Sequence, residues 1–235
     1  MKCIYCLPRK GDINLGKIYI PLARIPDIAD GIISKDFEQG LVGDCWLLAA
    51  IKSLMIKPKG IERLNNIIEF EEGNVKVTFP FNKKSYLITQ EELNSSKKFS
   101  MGEMDIRAIE IAADRLLKEA RDYSSSLTGG ISSEAFKFFI GNGEQFEVDW
   151  DTFPFEIFND ENKAFTVQNG SRGKENCTLK HNDTVYKFWA GHAYSVLGAD
   201  EEYIYLSNPM KSARKLSIPI KVFVSFFEFL DVCEL

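Results

Sequence analysis

The stretch "QGLVGDCWLLAAIKSL", Gln39 to Leu54, sets a cysteine where a glycine-punctuated loop runs into an apolar segment. Gly40 and Gly43 suit a loop that needs unusual backbone angles. From Cys45 the chain continues through Trp46, Leu47, Leu48, Ala49, Ala50 and Ile51 without a breaker. The run is apolar nearly all the way round, which predicts a short buried helix over 45–56, closed by Pro58 and Gly60. A cysteine in the first turn of such a helix feels the positive end of the helix dipole, which favours thiolate over thiol. Free cysteine is also a common small core residue. On this stretch alone, nucleophile and buried filler are level readings.

Composition narrows the classes. With 235 residues, 45% of them hydrophobic, the chain can bury a substantial core, in one large domain or two small lobes. A formal net charge of -5, with no basic stripe among aromatics, argues against nucleic-acid binding. Lys57, Lys59 and the pair Lys83–Lys84 read as solvated surface. No apolar stretch approaches membrane-spanning length, and "MKCIYCLPRK" is too short and too soon broken by Pro8 for a secretory signal. Five cysteines, an odd number without a disulfide framework, favour a reducing compartment, hence a cytoplasmic protein. Cys3 and Cys6 form a lone CxxC, a weak zinc or redox signal.

Along the chain, residues 1–40 read as mostly irregular. "NVKVTFP" (74–80) and "SYLIT" (85–89) alternate and predict a hairpin. "DIRAIEIAADRLLKEA" (105–120) predicts an amphipathic helix with Ile106, Ile109, Ala113, Leu116 and Ala120 on one face, and Ser100 with Glu103 predicts a capping box ahead of it. "SSEAFKFFI" (132–140) predicts another helix. After "GNGEQ" strand signals take over: "AFTVQ", "TVYKFWA", "HAYSVLG", "YIYLSN" and "KLSIPIKVFV". Ser225 and Glu228 then suggest a capping box on a short helix, "SFFEFL". The expectation is an α+β chain: a helical N-terminal lobe, residues 1–147, and a mainly antiparallel β C-terminal lobe, 148–235.

There are two histidines. His181 lies in the polar segment "LKHNDT" and reads as surface. His192 begins "HAYSVLG"; a turn near Asp200 follows, and "YIYLSN" runs back to Asn208. The two residues are equally far from Asp200, so a hairpin without a bulge sets them opposite each other on one face. A cysteine on a helix N-terminus with a His–Asn pair on a hairpin is the layout a thiol protease needs. Histidine moves the thiol proton, asparagine orients the imidazole, and the Gln39 amide with the Cys45 N–H could form an oxyanion hole.

These stretches resemble the protease core of calpains, the calcium-dependent cysteine proteases. "QGLVGDCWLLAAIKSL" is similar to the family's active-site stretch almost residue for residue; "GHAYSVLGA" and "SNP" resemble its histidine and asparagine segments. "AIEIAADRLLKEARDYSSSLTGGISSEAF" and "VFVSFFEFLDVCEL" extend the likeness from about Gly31 to Leu235. The resemblance implies a papain-like fold of two lobes with a cleft between them. It implies Cys45 as nucleophile, His192 as base and acid, Asn208 as orienting residue and Gln39 as oxyanion donor. The expected partners are protein or peptide substrates, without nucleic acid or membrane, bound by a monomer that could be part of a larger protein.

The resemblance also implies one calcium ion in the first lobe, held by carbonyls at Ala29 and Gly31 and carboxylates at Asp36 and Glu134, a hard oxygen set that suits the ion. The family's second ion relies on acids soon after the asparagine; here "MKSARKLSIPIK" is basic and apolar, so at most one site is expected. Three departures stand out. Met210 and Lys211 replace the tryptophan and glycine that usually follow the Asn–Pro and shield the His–Asn pair. The segment from Asn208 to the final helix is shorter than in the animal enzymes. No regulatory β-sandwich or EF-hand pattern follows. The leading reading is a cysteine endopeptidase; the alternative is a catalytically inactive calpain-like binding module, and a transglutaminase-type acyltransferase is disfavoured by both calpain-like stretches.

Overall fold

The computed structural model describes residues 37–235 apart from 97, 103, 122–126 and 171–176. A short strand, β1 (Phe37–Glu38), leads into α1 (Cys45–Met55). Ten of the eleven residues of α1 are buried, as an all-round apolar sequence requires. Pro58 does not merely stop this helix: it opens the next, α2 (Pro58–Asn65), from its first turn, where a missing N–H costs nothing. A three-stranded antiparallel sheet follows, from β2 (Ile68–Glu71), β3 (Asn74–Phe79) and β4 (Lys84–Ile88). The expected hairpin is its second and third strands. Thr89 then caps α3 (Gln90–Ser95) in a capping box with Glu92.

Ser100 does not open a helix. Met101–Gly102 form a strand, β5, paired with β1, and α4 runs Met104–Arg121. The Ser100 N–H and hydroxyl both go to Glu110 instead; Glu103 lies outside the described residues. The expected apolar face of α4 is buried at Ile106, Ile109, Ala113 and Leu116, whereas Ala120 is exposed. After α5 (Ser132–Ile140) come β6 (Glu144–Glu147), β7 (Lys163–Gln168), β8 (Cys177–His181), β9 (Thr184–Phe188), β10 (Ala193–Ala199), β11 (Tyr203–Asn208), β12 (Lys211–Pro219), α6 (Ile220–Val224) and β13 (Phe229–Glu234). The expected "SFFEFL" helix is absent: Ser225 is the C-cap of α6, its hydroxyl bonding the Val222 carbonyl, and Phe229 already starts a strand.

Six antiparallel strands form one sheet in the order β12-β11-β10-β7-β13-β6. Period-2 alternation divides its side chains between two apolar clusters. Ala164, Ala193 and Cys233 join a core built on α1, α4, α5 and the three-stranded sheet. Phe165, Val167, Tyr194, Val196 and Leu230 join a second, aromatic-rich core with Trp150, Phe158, Phe188, Phe223, Phe226 and Phe227. Chain content is therefore mixed helix and antiparallel sheet, as expected for an α+β protein. Among the described residues no helix is long and apolar enough to cross a membrane.

Candidate active site

Cys45 is the first residue of α1 and is buried. The carbonyl of the preceding Asp44 accepts from the Leu47 and Leu48 N–H groups at 2.9 and 3.1 Å and so starts the helix. The next residue fixes it sideways: the Trp46 indole donates to the Leu127 carbonyl at 3.0 Å, and its own carbonyl accepts from the Ser132 hydroxyl at 2.9 Å. One turn on, the Ala49 carbonyl accepts from Ser195 of β10 at 2.8 Å, tying the helix to the strand that follows His192.

Gln39 is joined to the asparagine end of the sheet through the backbone. Its N–H donates to the Pro209 carbonyl at 2.9 Å, and its side-chain amide donates to the Val42 carbonyl at 2.7 Å. Gly40 is required here by close approach rather than by dihedral angle: a Cβ would lie 2.1 Å from the Phe99 carbonyl oxygen, and neither Gly40 nor Gly43 has a positive φ.

His192 and Asn208 meet, though not by the symmetric register. Ser195 pairs with Ser207 and Val196 with Leu206, and a bulge lies between Val196 and Gly198. Extended toward the open end, that register sets Tyr194 opposite Asn208, with His192 two residues beyond. A displacement of two keeps both side chains on one face, where a displacement of one would part them. His192 Nε2 lies 2.8 Å from Asn208 Oδ1. The same oxygen accepts from the Met210 N–H at 3.0 Å. An atom that accepts the Met210 N–H is the amide oxygen, so Nε2 must carry the proton of the neutral ring. Nδ1 is then the basic nitrogen.

The ring is 2% exposed. Tyr194 lies edge-on to it at 4.9 Å between centroids, and Trp189 is tilted against it at 6.1 Å. These two rings pack against the imidazole. The turn before it needs glycine: Gly191 has φ 63, and its N–H is held by Asn169 Oδ1 at 2.9 Å. His181 ends β8, in the separate two-stranded β8–β9 ribbon, and is half-buried rather than open surface.

Sequence reasoning missed a polar cluster next to Cys45. Asp44, Ser100 and Glu110 are fully buried. Burial first, and then the charge of Glu110, push the Asp44 carboxyl well above the usual carboxylate range. Burial raises Glu110 too, against its interaction with Asp44, the bonds from Ser100 and the nearby Arg107 charge. An acid directly before the cysteine was the available signal. Of the expected calcium ligands, Glu134 is half-buried in the first turn of α5; Ala29, Gly31 and Asp36 lie outside the described residues. Among the described residues no three His, Cys, Asp or Glu converge as a metal site.

Comparison with known proteins agrees with the family that the sequence resembles. A family model described as calpain family cysteine protease matches residues 22–216. Calpain-8 of Mus musculus is 27% identical over 185 residues, and the calpain-2 catalytic subunits of Bos taurus and Homo sapiens are each 28% identical over 190 residues. Each match covers 74% of this chain and 26% of the relative, so the chain spans about a quarter of the length of the proteins it resembles. With that match over residues 22–216, the chain belongs to the calpain family of cysteine proteases.

Proposed function

We propose that the chain is a cysteine endopeptidase that cleaves protein or peptide substrates through an acyl-enzyme on Cys45. The observation that carries this reading is the double acceptance at Asn208 Oδ1, which leaves His192 with Nδ1 as its basic nitrogen. His192 Nδ1 takes the Cys45 proton, and the thiolate attacks the scissile carbonyl. The Gln39 amide and the Cys45 N–H, at the N-terminus of α1, stabilise the oxyanion. Collapse of the tetrahedral adduct breaks the C–N bond as His192 protonates the leaving amine. Water, deprotonated by His192, then attacks the thioester and releases the acid.

In this reading the fold is the two-lobed papain-like one, with residues 1–147 carrying the nucleophile and 148–235 the histidine and asparagine. Two apolar cores on either side of the six-stranded sheet support a two-part reading, while β6 of the first segment pairs with β13 in the second segment's sheet. The protein acts as a cytoplasmic monomer, without nucleic acid or membrane, alone or within a longer chain. One calcium ion belongs to the same proposal. Ala29, Gly31, Asp36 and Glu134 would hold it, and a hard divalent ion there supplies charge and rigidity rather than chemistry.

Cleavage of an unfolded protein, followed by mass spectrometry of the fragments, tests the proposal. Wild type yields internal cleavages that Cys45→Ala abolishes. Equal cleavage by both proteins contradicts the assignment, and binding of peptides without cleavage by wild type returns the chain to the inactive-module reading.

A further inference from the structure

Beneath the loop that carries Gln39 and Cys45, two carboxyl groups are taken wholly out of water. Their surroundings differ. Glu110, on α4, is well supplied: the Ser100 N–H reaches its two oxygens at 3.0 and 2.9 Å, and the Ser100 hydroxyl donates to Oε2. Arg107, one turn earlier, donates Nε and Nη2 to the Ser100 carbonyl at 3.2 and 2.9 Å, which sets its charge beside the same carboxylate. Asp44 has nothing of the kind. Neither of its oxygens has a hydrogen-bond partner among the described residues, and neither has the Gln39 Oε1.

Its position makes this unusual. Asp44 is the N-cap of α1, where an aspartate ordinarily accepts an N–H of the first turn. Here the side chain makes no cap bond. The side chains that act on it are Glu110 and Gln39, with Arg107 acting on Glu110. Two buried carboxyl groups in contact cannot both be ionised. One proton resolves the arrangement: an O–H on Asp44 donating to a Glu110 carboxylate that Ser100 and Arg107 already stabilise.

We propose that Asp44 is a positioning residue for the peptidase reaction, a neutral acid that hydrogen-bonds Glu110 and so fixes the loop from Gln39 to Cys45 without charging it. This rests on the function proposed above. A charged Asp44 would do harm twice. It would compete with the Cys45 thiolate for the positive end of the helix. It would also draw the Gln39 amide away from the oxyanion it is to stabilise.

A variant series separates a neutral acid from an anion. Asp44→Ala removes the proton donor, and kcat falls about tenfold or more while KM stays within about twofold, the split expected when a transition-state donor is misplaced. Asp44→Asn keeps a donor of the same shape toward Glu110 and recovers kcat to within about threefold of wild type. Equal loss in both variants means that Asp44 works as an anion and overturns the proposal. Carboxyl-carbon NMR titration of the wild-type protein gives an answer that needs neither turnover nor a variant. Asp44 shows the protonated shift at neutral pH with Glu110 ionised; an ionised Asp44 overturns the proposal. Should wild type show a protonated Asp44 and no turnover, the peptidase reading fails, and the positioning role, which depends on it, is overturned separately by the missing kcat.

Discussion

His192 Nε2 and Asn208 Oδ1 lie 2.8 Å apart although β10, which follows His192, and β11, which ends at Asn208, are two residues out of symmetric register. The pair dictates an order of damage. His192→Ala should lower kcat by about 10³-fold or more, since it removes the group that moves the proton. Asn208→Ala should cost about 10-fold to 100-fold, because orientation is lost and the base is kept. His181→Ala, in the β8–β9 ribbon, should stay within about twofold. Steady-state kinetics on one peptide substrate checks all three, and equal losses for the two histidines would point to a different centre.

Trp189 supplies part of the cover over His192. Trp189→Ala should admit water to the His192–Asn208 bond and lower kcat about tenfold, with the aromatic contact worth about 1 kcal/mol. Trp189→Phe should keep most of the rate. The imidazole proton on Nε2 should exchange faster with solvent in the alanine variant, which NMR reads directly. An unchanged exchange rate would remove Trp189 as part of that cover.

Asp231 makes stability fall as pH rises. Burial pushes its carboxyl up to about 7, against bonds from the Ser133 N–H at 3.1 Å, Gln145 at 3.1 Å and Thr166 at 3.3 Å. An unfolded carboxylate titrates near ~3.9. Between about 4 and 7 the folded state therefore holds a proton that the unfolded state has shed. This contribution is full below the unfolded value and is lost as pH passes through about 7, a change on the order of 4 kcal/mol. Asp231→Asn should flatten that slope and raise the melting temperature at pH 8. Parallel melting curves against pH for the two proteins would remove Asp231 as the cause.

Calcium should bind to at most one site per chain. The stretch after Asn208 holds Lys211, Arg214 and Lys215 and no carboxylate up to Lys221, and the Lys215 ammonium lies 3.5 Å from the Tyr205 ring centre. Titration calorimetry should give a stoichiometry no higher than one, lost in Glu134→Gln. Two ions would overturn the argument from the basic stretch, and none would leave Glu134 as a helix-start acid.

The site was legible where chemistry and local pattern coincide. The helix expected over 45–56 is found at Cys45–Met55, because an unbroken apolar run leaves few alternatives. Side-chain parity at His192 and Asn208 survived a wrong register because the error was even. Capping boxes show the limit. Thr89–Glu92 is a box and went unread. Ser225–Glu228 has the spacing, but Glu228 accepts from the Gly170 N–H, 58 residues away in sequence. Ser100 is likewise claimed by Glu110. A spacing rule sees neighbours along the chain and not the distant donors that outbid them. The contact between Asp44 and Glu110 is of that long-range kind.

Labelling by a peptide carrying a thiol-directed electrophile tests the central assignment most directly. Among the described residues Cys45 and Cys233 are buried and in no disulfide. Burial, and then Glu234, push the Cys233 thiol up to about 12, so it stays protonated and inert. At neutral pH the adduct should form on Cys45 in preference to Cys3, Cys6, Cys177 and Cys233, and His192→Ala should slow it. Labelling spread evenly over the cysteines, or at the same rate without His192, would contradict the account.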